Sequence, residues 1–433
     1  MPINQESPMN ILVLRSSFQT DEFVWKEYAD LLQQLKDRCQ ANIQINGELF
    51  SNTVMVATGG VENQFKTLAE MQGIASLQAQ PVTLIADGRN NSLAAALEIL
   101  TWLETQGIEG RILHGTNDEI VASLRHCDRE LAKREAIQPD LEQFWLDCFG
   151  QRPRNDGKPL CGTRIGLFGH PSDWLIASGV DRDYLLGHFG VETVDIELQR
   201  LIDGIKAVPK NEALKVAQDI VKQSLDTIEP SCADMLEAAK AYLAIKKICM
   251  EEKLDAMTIR CFDIVNTCGT TSCLALALLN DEGIVAGCEG DMQTLMSMLL
   301  AKRLCGAEAF MANPSNLTGT TTMLAHCTIP LKMCDEITLR SHFESGIGVA
   351  IQGVLPLTDY TIFKWGGPRL DRYFVTEAQA VETPYSNHFC RTQITLNVDL
   401  RPYLLQHSIG NHHVIIKGKH EKVLREAMRE FRF

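Results

Sequence analysis

The sequence predicts an α/β protein: two doubly wound parallel-sheet domains followed by a β-rich, barrel-like C-terminal domain. Three observations predict it. Over the first third, short runs of branched apolar residues alternate with stretches of helical periodicity, joined by Gly-containing turns; this is the pattern of a parallel sheet covered on both faces. A second run of the same kind follows a polar, breaker-rich stretch at 150–159. After about residue 315 the texture changes to strand-like segments separated by turns, which points to antiparallel pairing.

In chain order, residues 10–14 read as the first strand and 21–39 as a helix with apolar residues at helical spacing. A strand at 53–57 ends at Gly59-Gly60, and a helix at 61–71, a strand at 81–86 and a helix at 91–105 follow. Arg152, Pro153, Asn155, Gly157 and Pro159 mark the linker. Beyond it, strands are expected at 164–169, 192–196 and 256–261, with helices at 231–250 and 292–304. The last part reads as strands at 317–328, 336–342, 348–355, 359–365, 372–377, 391–397 and 412–417. It forms a barrel or sandwich closed by a helix at 421–431. The expected domains are 1–155, 156–315 and 316–433.

Composition bounds the function. A chain of 433 residues is too long for one ordinary core. Its 45% hydrophobic and 22% charged content is that of a soluble globular protein. The net charge of −14, from 41 Lys+Arg against 55 Asp+Glu, disfavours nonspecific binding to nucleic acid or anionic membranes. Most of the 14 cysteines lie in apolar runs without zinc-finger spacing, as buried thiols of a reducing compartment do. The first residues lack the basic and apolar regions of a signal peptide, and no run approaches bilayer length. A cytoplasmic protein with no membrane or nucleic-acid partner is expected.

The richest chemistry lies in Gly287-Cys288-Glu289-Gly290-Asp291 and in two later histidine segments, Leu324-Ala325-His326-Cys327-Thr328 and Gly410-Asn411-His412-His413. Glu289 stands where a strand meets a helix, a favoured place for ligand chemistry in α/β sheets; an acid at a helix N-terminus is also explained by the helix dipole alone. On a strand, His412 and His413 point to opposite faces, so at most one joins a metal site. A carboxylate with imidazole suits a hard or borderline divalent cation.

Three weaker candidates for sugar contact are Arg15 at the end of the first strand, Arg260 near Asp263, and Trp365 beside Gly366-Gly367. Each is equally explained by a solvated loop, a local ion pair or core packing, respectively. Thr58-Gly59-Gly60 resembles a phosphate-binding turn only loosely and has no nucleotide motif beside it. Cys261, Cys268, Cys273 and Cys288 read as packing residues.

These motifs, together with Phe310-Met311-Ala312-Asn313-Pro314-Ser315, occur in an order and spacing that resembles the L-fucose/L-arabinose isomerase superfamily, most of all its fucose-isomerase-like branch. The resemblance covers roughly residues 255–420. It implies two α/β domains followed by a β-rich one, a homotrimer, tetramer or hexamer, and a metal-dependent aldose–ketose isomerase using Mn²⁺ or another divalent cation. It further implies Glu289, Asn313 and His413 as metal ligands, Glu289 as acid/base group, and His326 as a further histidine at the metal and substrate. The sequence departs from the family at Asn313, where fucose isomerases carry an aspartate. An amide oxygen can ligate a cation but cannot carry a proton at neutral pH, which hands the second proton-transfer role to Asp291 or a water.

Isomerisation moves hydrogen between C1 and C2 of a sugar. The expected route is proton transfer by Glu289 through a cis-enediol, with a hydride shift as the competing path. A deoxyhexose, a pentose or an acidic hexose derivative all fit. The rival readings are a non-catalytic sugar-binding or regulatory protein of the same fold, and a metal-assisted sugar lyase or hydrolase.

Overall fold

The computed structural model describes residues 9–48, 50–125 and 159–430. The fold has the predicted class, with parallel-sheet α/β units and a closed antiparallel barrel. Apart from Pro159, the linker at 150–159 lies outside the described residues, as does the expected boundary at 155/156.

The first sheet contains β1 (Asn10–Leu14), β2 (Asn42–Ile45), β3 (Thr53–Val56), β4 (Val82–Ile85) and β5 (Gly110–Leu113). They run parallel in the order β2-β1-β3-β4-β5. Side chains alternate along a strand: Leu12 and Leu14 enter one core while Ile11 and Val13 enter the other. The winding reverses between β1 and β3, which opens a crevice beyond their carboxyl ends. There the Ser16 amide donates to Thr58 Oγ1 at 2.8 Å. The helix expected at 21–39 is two helices, Asp21–Glu27 and Ala29–Cys39. Tyr28 leaves helical geometry between them, and its hydroxyl donates to the buried Ala57 carbonyl.

The second sheet contains β6 (Arg164–Phe168), β7 (Glu192–Ile196), β9 (Ala256–Ile259) and β10 (Val285–Cys288), in the parallel order β10-β9-β6-β7. A two-residue strand, β8 (Asp226–Thr227), joins β13 (Glu336–Arg340) and β14 (Ala350–Val354) in a small separate sheet.

Six strands close the barrel: β11 (Ala309–Thr318), β12 (Thr321–His326), β15 (Asp359–Gly366), β16 (Arg372–Glu382), β17 (Thr392–Leu396) and β18 (His413–Lys417). Their order is β11-β12-β17-β16-β15-β18. The single strand expected at 317–328 is instead the hairpin β11–β12. It turns at Gly319, whose φ of +57° is easy for glycine and costly for other residues. β11 begins at Ala309, ahead of the expected domain boundary at 316.

The barrel is wedged between the two α/β units. Phe310, Leu324 and Ile394 pack into a core shared with the first sheet, and Phe363, Trp365 and Val414 into one shared with the second. This packing brings the end of β10, the middle of β11 and the approach to β18 to one place. Among the described residues, no cysteine is disulfide-bonded and no helix is long and apolar enough to cross a membrane.

Candidate active site and metal centre

β10 stops at Cys288, and the chain reverses through Glu289 (φ +63°) and Gly290 (φ +74°). A left-handed non-glycine residue costs roughly 1–2 kcal/mol. Backbone bonds hold it here, from Ser172 N to Glu289 O at 2.8 Å and from Asp291 N to Cys288 O at 3.1 Å. Gly290 is required by space as well as by φ, because a Cβ there would lie 2.6 Å from Pro171 Cα. The two acids of the turn then separate. Glu289 faces a cavity, while Asp291 caps the helix Met292–Cys305 by accepting from Thr294 N at 2.8 Å.

The paired histidines also separate, and the structure corrects the expectation for them. His413, the implied ligand, has both ring nitrogens engaged: Nδ1 with the Asn411 carbonyl at 3.0 Å and Nε2 with the Tyr403 hydroxyl at 2.8 Å. It is His412, just before β18, that turns toward Glu289. Its Nε2 lies 3.6 Å from Glu289 Oε1, and its Nδ1 lies 2.9 Å from Asp291 Oδ2. His326, the last residue of β12, places Nε2 3.9 Å from Glu289 Oε1, while its Nδ1 lies 3.1 Å from Thr328 Oγ1. Asn313 on β11 stands opposite Ala325 of β12; it is buried and its Oδ1 has no partner.

Charge is tightly coupled at this site. Burial by itself would push the Glu289 carboxyl up. His412, His326 and the Trp174 indole, which donates to Glu289 Oε2 at 2.6 Å, instead hold it down at about 2. Burial also opposes charge on His412, yet Glu289 and Asp291 raise its imidazole to about 9. Against its own burial, Asp291 is held well below the usual carboxylate range by Lys364 and His412. The fully buried Lys364 ammonium lies 3.8 Å from Asp291 and donates to Thr294 Oγ1 at 2.8 Å. His326 falls to about 3, chiefly through burial. Two carboxylates around one imidazole thus draw positive charge into a buried position.

These residues fit a divalent cation. His412 Nε2 and Asn313 Oδ1 are buried polar atoms without hydrogen-bond partners, and both are natural donors to such an ion. Ligands about 2.1 Å from one ion lie roughly 3.0 Å apart at octahedral and 3.4 Å at tetrahedral angles, and the Glu289–His412 separation of 3.6 Å is slightly longer. The Asp291–His412 bond is the carboxylate–imidazole arrangement that orients a ligating histidine. Cys288, Glu289 and His326 also group closely enough to hold a metal, with donor atoms within 4.8 Å of one another. However, the Cys288 thiol donates to Cys261 Sγ at 3.5 Å, and that bond and burial push its pKa far up. Cys288 is thus engaged by Cys261, whereas His412 Nε2 and Asn313 Oδ1 have no partner, so both are candidate ligands beside Glu289 and His326.

A cavity of about 630 Å³ opens over Glu289 and Asn313. The first α/β unit lines it with Ser16, the Thr58–Gly60 turn and Asn91; the second contributes Asp173, Trp174 and Phe262. Phe343, Glu344 and Asn411 also line it. Three expectations are corrected here. Trp365 is wholly buried in the core, with Nε1 donating to Leu370 O at 2.7 Å, and stacks on no ligand. Arg15 is tied to Asp21 at 2.6 Å and to the Gln19 carbonyl, outside the cavity wall. Asp291 is completely buried, so it is no proton carrier for a bound sugar. Arg260 reaches the cavity only through Asp173, which it binds through both nitrogens at 3.0 and 2.8 Å, and it also bonds Asp263.

The sequence reading missed Glu62, Glu344 and Trp174 at this cavity. For Glu62 a signal existed, since a strand ending in Gly59-Gly60 at a winding reversal brings the next helix's first turn to the crevice. Glu344 and Trp174 sit in loops without a periodic pattern.

No family model matches the chain. Among curated proteins, a sulfoquinovose isomerase of Alkalicoccus urumqiensis is 24% identical over 286 residues, covering 63% of this chain and 64% of that protein. A second, from Clostridium sp. (strain MSTE9), is 23% identical over 249 residues, 55% of each chain. A third, from Priestia aryabhattai, is 26% identical over 153 residues, 35% of this chain and 34% of the relative. The chain is similar to sulfoquinovose isomerases. The match spans less than two thirds of the length of each.

Proposed function

We propose that this protein is a divalent-metal-dependent aldose–ketose isomerase acting on a monosaccharide. The observation that carries the reading is Glu289 in the wall of a sugar-sized cavity that Asn313 also lines, with the buried, unpartnered His412 Nε2 3.6 Å behind it, in a chain whose similar curated relatives are named as sugar isomerases. Manganese is the cation we favour; Glu289, His412, Asn313 and His326 would hold it. When bound, it polarises the sugar carbonyl and stabilises the negative charge that develops on O1 and O2.

The protein's own residues do the rest. Glu289 takes the proton from C2 and returns it at C1, through a cis-enediol, while the O2 hydroxyl proton passes to O1 by way of a water. Trp174 fixes the Glu289 carboxylate by donating to Oε2, which leaves Oε1 on the side of the two histidines. Asp291 and Lys364 hold His412 in one orientation from behind. The Phe262 and Trp174 rings, packed edge to face at 5.2 Å, shield that side of the cavity from water. Deoxyhexoses, pentoses and, by the relatives' name, a sulfonated hexose are the candidate substrates.

The test is turnover of an aldose panel with added manganese by the native chain and by Glu289→Gln. Ketose formation that disappears in the variant supports the isomerase. Sugar binding without turnover under any divalent metal would leave a binding protein, the reading that Asn313 in place of an acid favours. A C2-deuterated substrate in ordinary water separates the chemical routes, since complete retention of the label would replace the enediol with a hydride shift.

A further inference from the structure

We infer that Glu289 and His326 belong to two overlapping metal sites, the second of which is completed by sulfur from Cys288 and Cys261 and takes a thiophilic ion, Zn²⁺. The inference goes beyond the isomerase reading and does not depend on it.

Adjacent parallel strands bring the sulfurs together. β9 and β10 pair with Ile259 opposite Cys288, and Cys261 opens the helix Cys261–Cys268 just beyond β9. Their Sγ atoms lie 3.5 Å apart. Two thiolates about 2.3 Å from one zinc stand roughly 3.8 Å apart at the tetrahedral angle, so the pair is close to the spacing that one ion needs. The Cys288 thiol, a Glu289 oxygen and a His326 ring nitrogen also lie within 4.8 Å of one another. The backbone of Cys288 is fixed, its N–H donating to Met311 Sδ at 3.1 Å and its carbonyl accepting from Thr258 Oγ1 at 3.3 Å. Both thiols are buried.

The donors sort the ions. Manganese favours oxygen and imidazole, whereas zinc binds shared donors more strongly and also favours thiolate. Zinc binding forms two Zn–S bonds and replaces two S–H bonds, the S–H···S contact included, and the two protons leave to water. Two sulfurs, one nitrogen and one oxygen then fill a tetrahedral shell, as in structural zinc sites, with no position left for a sugar oxygen. Because this ion uses Glu289 and His326, it excludes an ion held by the same two residues with His412 and Asn313. Zinc in the sulfur set is therefore an inhibitor.

The experiment loads the full chain with zinc and records X-ray absorption at the zinc edge. One Zn²⁺ per chain with two sulfur neighbours at about 2.3 Å supports the inference, and a shell of nitrogen and oxygen alone overturns it. Cys261→Ser and Cys288→Ser identify the sulfurs: each should weaken zinc at least roughly tenfold, since even an orienting partner of a ligand is worth about 10–100-fold. Manganese affinity should be unchanged in Cys261→Ser. Equal zinc affinity in folded serine variants overturns the assignment; if neither folds, the absorption result on the native chain decides. Paramagnetic resonance of free Mn²⁺ separates this inference from the isomerase reading. Release of one Mn²⁺ for each Zn²⁺ bound supports the shared ligands, and both ions bound together overturns them. Two-sulfur zinc in a chain that binds no manganese leaves the sulfur site standing while the manganese reading falls.

Discussion

His412 Nε2 faces Glu289 Oε1 across 3.6 Å, too far for a hydrogen bond and close enough to share one ion, while the adjacent His413 turns into Tyr403. The two neighbours therefore have separable roles. His412→Ala should weaken manganese binding by at least roughly tenfold, read by isothermal titration. His413→Ala should bind manganese normally but unfold more easily, by roughly 2–3 kcal/mol, because it leaves a buried hole and an unpaired Tyr403 hydroxyl. The reverse pattern would restore His413 as the ligand.

Asp291 acts through His412. Asp291→Asn keeps the size of the cap but leaves the buried Lys364 charge uncompensated, at roughly 3–5 kcal/mol of stability. With its orienting carboxylate gone, His412 should also lose about 10–100-fold in metal affinity. Unchanged metal binding in a folded variant would show that the ring is held by packing alone.

Asn313 is the uncharged member of the proposed ligand set. Asn313→Asp adds a negative charge at a buried, unpartnered position and should tighten manganese on the order of tenfold, measured by chelator competition. An affinity equal to that of the native chain would remove residue 313 from the metal.

Glu98 makes a pH-dependent contribution to stability. It is fully buried and accepts from Ala177 N at 2.7 Å and from Ser178 N at 2.9 Å, and burial still raises its carboxyl to about 6. Gly410, in the loop before His412, packs so closely that a Cβ there would lie 3.2 Å from Glu98 Oε2. With a folded pKa above the unfolded one, the native state binds more protons between about 4.5 and 6. The stabilisation is therefore complete below about 4.5 and lost as pH rises through 6, on the order of 2 kcal/mol. Urea midpoints should fall more steeply over that interval in the native chain than in Glu98→Gln; parallel curves would assign the slope to other groups.

Periodicity along the chain was enough to read the α/β repeats, the switch to antiparallel strands and the placing of Glu289 between a strand and a helix, because those properties depend on neighbours within a few residues. It could not distinguish a long strand at 317–328 from a hairpin, since Gly319 reads equally as a strand glycine. Nor could it choose between His412 and His413. Alternation says only that they oppose each other; barrel closure and the Ala312–His413 register decide which faces the acid. For Trp365, beside two glycines, the sequence left sugar stacking and core packing both open, and the packing of the barrel on the helix Met292–Cys305 decides for the core. Glu62 and Glu344 reach the cavity from loops and a helix start far apart in the chain. Their proximity, and with it the charge of the binding space, is a property of the tertiary structure, because electrostatic interactions depend on distances in space.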